Sequence, residues 1–146
     1  LRYVFYDCSK DHVPLDHEVD YIRNYIAFQQ MKSDHEQNIV LKTDINGSKP
    51  EIAPMLFIPF IENAFKYSNA ESNMSAFVKI ELVCHKKNLL FITENSIPES
   101  GKVMSGAGTG INNVKKRLHL LYPEKHELTI TEEDDLYSLT LKIDLS

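Results

Sequence analysis

Pro59-Phe60-Ile61-Glu62-Asn63-Ala64-Phe65-Lys66-Tyr67-Ser68 is the stretch on which the reading turns. At roughly 100° per residue, Glu62, Asn63 and Lys66 share one arc of a helix with Pro59. Phe57, Phe60, Ile61, Ala64 and Phe65 take the other arc and are expected to face a core. An acid, an amide and an amine thus line the arc that packing does not need. A carboxylate can orient or deprotonate a nucleophile. An amide oxygen is a hard ligand of the kind Mg²⁺ takes. An ammonium meets phosphate as a point charge. Alone, such a pattern usually marks a solvated helix face.

The second informative stretch is Gly106-Ala107-Gly108-Thr109-Gly110-Ile111-Asn112-Asn113-Val114-Lys115-Lys116-Arg117-Leu118. Three of the chain's five glycines alternate there, just before an amphipathic run. Ile111, Val114, Leu118 and Leu121 fall on one helix face. Glycines let backbone N–H groups approach an anion, and a helix start favours negative charge. No Walker loop is present, and no strand is expected directly before the glycines, which excludes a Rossmann fingerprint. Taken alone, the glycines also fit a hinge into a core helix.

In this order and separation the two blocks resemble the ATP-binding domain of the GHKL (Bergerat) superfamily, and more closely the LytS/YehU-type sensor histidine kinases. The likeness starts at Val13-Pro14-Leu15-Asp16-His17-Glu18 and Tyr21-Ile22-Arg23-Asn24-Tyr25-Ile26. It continues through Pro54 to Ala64 and Gly108 to Leu118, and closes at Leu121-Tyr122-Pro123. It implies an α+β two-layer sandwich with a mixed, mostly antiparallel sheet and helices on one face. Residues 1–14 would be the end of an upstream dimerisation helix and a linker, and 15–146 the catalytic domain.

The resemblance also implies roles. Asn63 would ligate Mg²⁺ and Glu62 would orient or activate the attacking group. Lys66 would reach phosphate. Gly106, Gly108 and Gly110 would offer N–H groups to the phosphates, with Asn113 near the nucleotide. Residues 96–107 would form a lid over ATP. Asn95 stands where relatives carry an adenine-reading Asp, and its oxygen can still accept the adenine amino group. Relatives place a Thr on the last strand; Ser138 and Thr140 are both candidates. No histidine here lies in a phosphoacceptor context, so the acceptor is expected on a helix outside this chain.

The implied activity is transfer of the γ-phosphoryl of Mg·ATP to that histidine and onward to a response regulator. The implied setting is the cytoplasmic side of an inner-membrane sensor that dimerises when whole and is a monomer as this piece. The alternatives are another GHKL ATPase, an anti-sigma-type serine kinase, or a nucleotide-binding module without turnover.

Composition fits one globular domain. The chain has 146 residues, 42% apolar and 25% charged, enough for one sizeable core. Its net charge of −5 argues against a general nucleic-acid binder. Cys8 and Cys84 lack metal-ligand spacing, and Cys84 is expected in a strand core. Helices are expected over 17–33, 54–68 and 110–121, the first capped by Asp16. Strands are expected over 38–45, 75–85, 88–94, 126–132 and 136–145, with turns at Asn46-Gly47 and 132–135.

Overall fold

The structure, a computed structural model, describes residues 11–46, 49–98 and 108–146. Among the described residues, three helices pack on a five-stranded sheet. In chain order these are β1 (Val13–Pro14), α1 (Leu15–Met31), β2 (Asn38–Asn46), β3 (Glu51–Ile52), α2 (Ile58–Ser68), β4 (Phe77–His85), β5 (Asn88–Ser96), α3 (Gly108–Leu121), β6 (His126–Glu133) and β7 (Leu136–Asp144). The sheet order is β2-β4-β5-β7-β6, and β1 pairs with β3 beside it. Only β2 and β4 run parallel; the other neighbours in the large sheet are antiparallel. The expected two-layer α+β sandwich is therefore what forms.

Alternation builds the core. Val78, Ile80, Leu82 and Cys84 of β4 are buried, as are Leu89 and Phe91 of β5 and Leu139, Leu141 and Ile143 of β7. Register aligns them in rows such as Leu82–Phe91–Leu141 and Cys84–Leu89–Ile143. One sheet face thus carries the apolar set and meets the helices. Cys84 is a small core residue, as expected; Cys8 lies outside the described residues. Edge strand β6 is mostly exposed and ends in Glu132 and Glu133. Charge on such an edge discourages pairing with another chain.

Several boundaries differ from expectation for local reasons. Helix α1 begins at Leu15, and Asp16 makes no cap. Pro14 stands at the cap with φ −58°, and the Leu15 N–H donates to the Pro50 carbonyl at 2.9 Å. Pairing of Pro14 with Glu51 brings that carbonyl into place. Helix α2 begins at Ile58 rather than 54, with Pro59 in its first turn. A proline is harmless there because its missing N–H has no helical partner to lose. Strand β5 runs on to Ser96, whose Oγ accepts the Phe77 N–H at 2.9 Å. Helix α3 starts two residues before the expected 110, and the β6–β7 turn narrows to Asp134-Asp135. Gly47 and the expected helix end at Leu1–Tyr6 fall outside the described residues.

Phe91 ties the layers together. It is fully buried, with the rings of Phe57 and Phe60 at 4.7 and 6.2 Å. Phe91→Ala should cost about 3–5 kcal/mol of stability through the cavity it opens, read by urea denaturation.

Candidate functional site

The site is counted from a short turn, Ala53–Phe57, that feeds α2. Met55 sits at φ 61°, an unusual conformation for a non-glycine residue. Three side chains from two directions hold this turn. Glu18 of α1 accepts the Met55 N–H at 2.9 Å through Oε1. Arg117 of α3 donates to the Pro54 carbonyl at 2.8 Å and the Met55 carbonyl at 3.3 Å. The Tyr122 hydroxyl accepts the Ala53 N–H at 3.0 Å. Glu18 is only 2% exposed, and its Oε2 has no hydrogen-bond partner. Burial pushes its carboxyl up to about 7, opposed by the Met55 N–H, the Arg117 charge and the Leu56 N–H. Sequence reading gave Glu18 and Arg117 no role. A signal was present: Leu15, Glu18 and Ile22 share one helix stripe, so a charge sits among core positions.

From Ile58 onward, helical rotation sorts the side chains. The Phe65 ring meets Tyr25 of α1 edge-on at 5.6 Å. Glu62 lies about 60° from Phe65 on that same side. Its charge, after burial, helps push the Tyr25 hydroxyl up to about 12. Asn63 lies across the helix, about 40° from both Pro59 and Tyr67. Pro59 faces α3: a side-chain carbon on Gly110 would stand 3.9 Å from its Cβ. Tyr67 packs edge-on against Tyr137 of β7, centroids 4.9 Å apart. Asn63 therefore occupies the gap between the start of α3 and the Tyr67–Tyr137 pair. It is 8% exposed, and its Nδ2 has no hydrogen-bond partner. Placing Asn63 on a wholly solvated arc is thus corrected: Glu62 and Lys66 are exposed, but Asn63 is buried.

The floor of the gap is the far end of β5. Thr93 and Asn95 are both fully buried on the helix-facing side, while Glu94 points to the other face. Asn95 donates through Nδ2 to the Ser96 carbonyl at 3.0 Å. Its Oδ1 and the Thr93 Oγ1 have no hydrogen-bond partner. Leaving buried polar atoms unsatisfied costs about 1–3 kcal/mol each. Three of them on facing elements α2 and β5 are what a site awaiting polar ligand atoms presents.

Tyr137 lies directly across from Asn95 in the register. It is buried on the helix side, whereas Ser138 and Thr140 lie on the opposite face of β7. Neither of those two can face the gap, because a strand alternates its side chains. Tyr137 takes that place, a residue the sequence reading missed.

The start of α3 brings the glycines in. Gly108 and Gly110 lie in its first turn, with Asn113 one turn on and exposed. Two helix N-termini, of α2 and α3, therefore meet at Pro59 and Gly110. Each start carries the positive end of a helix dipole, a setting for anions, although in α2 the Phe60 and Ile61 N–H groups already donate to the Phe57 carbonyl at 3.1 Å. Gly106 and the expected lid beyond Pro98 lie outside the described residues.

Comparison with known proteins bears on the fold. No family model matches the chain. It is 24% identical over 131 residues to the sensor histidine kinase YesM of Bacillus subtilis, covering 87% of this chain but 23% of that kinase. The blue-light-activated histidine kinase of Erythrobacter litoralis shares its fold with a TM-score of 0.63 at 15% identity, covering 93% of this chain and 69% of that one. The catalytic domain of histidine kinase ThkA matches with a TM-score of 0.59 at 13% identity, over 92% of this chain and 95% of that domain. ThkA in complex with the response regulator TrrA matches with a TM-score of 0.60 at 11% identity, over 92% of this chain and 41% of that one. The chain has the fold of histidine kinase catalytic domains and is similar in sequence to a sensor histidine kinase, and it spans under a quarter of that curated relative's length.

The buried carboxyl makes stability depend on pH with a definite sign. Glu18 titrates near 4.5 when unfolded and near 7 when folded. Its contribution is fully present below about 4.5 and is lost as pH rises through 7. Relative to Glu18→Gln, the native chain should lose about 3 kcal/mol across that window and then level off, by denaturant melts at fixed pH.

Proposed function

We propose that this chain is the Mg·ATP-binding catalytic domain of a LytS/YehU-type sensor histidine kinase. The observation that carries the reading is the unpartnered amide nitrogen of Asn63, buried on α2, whose Pro59 faces Gly110 at the start of α3, with Thr93 Oγ1 and Asn95 Oδ1 also unpartnered on β5. The donor set fits the group it is asked to hold. An amide can turn its oxygen into the gap, and one hard oxygen plus phosphate oxygens and water is how Mg²⁺ is commonly bound. Among the described residues no three His, Cys, Asp or Glu side chains gather into a metal-holding group. The cation would thus rest on Asn63 and the nucleotide itself.

The remaining roles are those the family resemblance implies. Gly106, Gly108 and Gly110 offer N–H groups to the phosphates, Lys66 adds a charge, and Asn113 approaches from α3. Asn95 Oδ1 accepts from the adenine amino group, and Tyr67 and Tyr137 supply apolar surface beside it. When bound, Mg²⁺ neutralises charge on the phosphates. The chain's own residues then position the reactants, which is most of what phosphoryl transfer requires.

Glu62 is open to an incoming histidine from another helix and would orient or deprotonate its imidazole. The acceptor lies on a dimerisation helix outside this chain, and the phosphoryl passes to a response regulator, a partner of the kind ThkA has been solved with. No nucleic acid takes part. The parent would be a homodimeric sensor with this domain on the cytoplasmic side. Among the described residues no helix is long and apolar enough to cross a membrane. One feature favours a second reading, a nucleotide-binding module without turnover: Asn95 stands where relatives carry an acid.

Calorimetric titration with ADP and a non-hydrolysable ATP analogue separates these readings from a bare scaffold. Binding should depend on Mg²⁺ and weaken about tenfold or more in Asn63→Ala. In a longer protein carrying its acceptor helix, Glu62→Gln should abolish phosphotransfer while binding persists. No phosphotransfer by that longer protein, unaltered and with its own acceptor helix, would leave only the module. No binding by the unaltered chain at several millimolar would overturn the proposal.

A further inference from the structure

We propose that Glu18 is a positioning residue for this nucleotide site: it fixes the turn from which α2 starts, and so where Asn63 stands, only when its carboxylate is charged. The functional half of this rests on the nucleotide reading above; the clamp itself does not. Glu18 lies on α1 and touches no residue assigned to the nucleotide. It holds the Met55 N–H, with Met55 in a left-handed conformation. Arg117 grips the carbonyls of Pro54 and Met55 from the opposite side. The turn is thus held by an anion on its N–H side and a cation on its carbonyl side. Asn63 follows five residues into the helix that starts at Ile58, directly after this turn.

The groups around Glu18 make it the one that changes. Arg117 stays charged at any ordinary pH. The Tyr122 hydroxyl beyond it is raised by burial and stays neutral. The turn offers only backbone N–H groups. Asp16 and His17, its neighbours on α1, are exposed. Burial brings the Glu18 carboxyl to about 7, within reach of small changes in surroundings. A protonated carboxyl is a weaker acceptor for the Met55 N–H and leaves Arg117 without a counter-charge. Protonation relieves the burial cost of the charge, so the fold as a whole gains stability while this turn alone loosens and Asn63 loses its fixed place. Linkage makes this reciprocal: bound Mg·nucleotide favours the ionised clamp and lowers the proton affinity of Glu18.

Two measurements test it on the chain as it stands and on Glu18→Gln. The first needs no ligand: NMR signals of the Met55 and Leu56 backbone amides and the Asn63 side-chain amide are followed from pH 5.5 to 8.5. All three should titrate together near 7 in the unaltered chain and stay flat in the variant. The second is Mg·ADP affinity over the same range. At pH 8 the variant should bind about five- to tenfold more weakly, and the two should converge near pH 6. Parallel affinity curves for the two proteins would overturn the proposal. So would an Asn63 amide that ignores the titration seen at Met55. If the unaltered chain bound no nucleotide but Asn63 still titrated with Met55, the clamp would stand and the nucleotide reading would fall.

Discussion

A proline in the first turn of α2 and a buried carboxylate beneath the preceding turn together decide where that helix begins. Pro59 permits a helix to start just before it and not four residues earlier. Glu18 and Arg117 hold the turn at 54–55, where Met55 has a φ of 61° that no helix can include. Each later position is then set at about 100° and 1.5 Å per residue. A start one residue later would swing Asn63 out of its gap by about 100°. The phase of α2 is thus a functional quantity, and it is set by groups that never meet the ligand.

That phase also separates two adjacent residues by task. Glu62 turns toward α1 and remains exposed; Asn63 turns toward α3 and the end of β5. One neighbour is open to an incoming group and the other is committed to the interior. Beneath Asn63, β5 breaks its own apolar rule. Leu89 and Phe91 give way to Thr93 and Asn95 on the same face, so the core changes from apolar to polar along one strand. The apolar end binds the layers and the polar end is left with unsatisfied atoms. Stability and function are thus divided along the length of β5.

Much of this was legible in the sequence, where side-chain period speaks directly. Alternation in 75–85, 88–94 and 136–145 showed which residues face inward, and the helical stripe of 57–65 showed the buried arc of α2. Residues Glu62, Asn63 and Gly110 were singled out by resemblance, and the fold brings the two blocks that carry them side by side. What escaped depended on the third dimension. Local chemistry suggested Asp16 as a cap, but pairing with Glu51 gave that place to Pro14. The helix was begun at Pro54 because nothing nearby in sequence reveals that Glu18, 37 residues away, holds Met55. Ser138 and Thr140 were favoured by residue type, and a one-residue register difference gives the position to Tyr137 instead.

The central claim is that a nucleotide-borne cation sits at Asn63. The most direct test replaces Mg²⁺ with paramagnetic Mn²⁺ and follows side-chain amide and backbone NMR signals of the chain with and without ADP. The account predicts that Mn·ADP broadens Asn63 first, then Gly110 and the first turns of α2 and α3, and that Mn²⁺ alone does not. Broadening centred elsewhere, or equal with and without ADP, would contradict it.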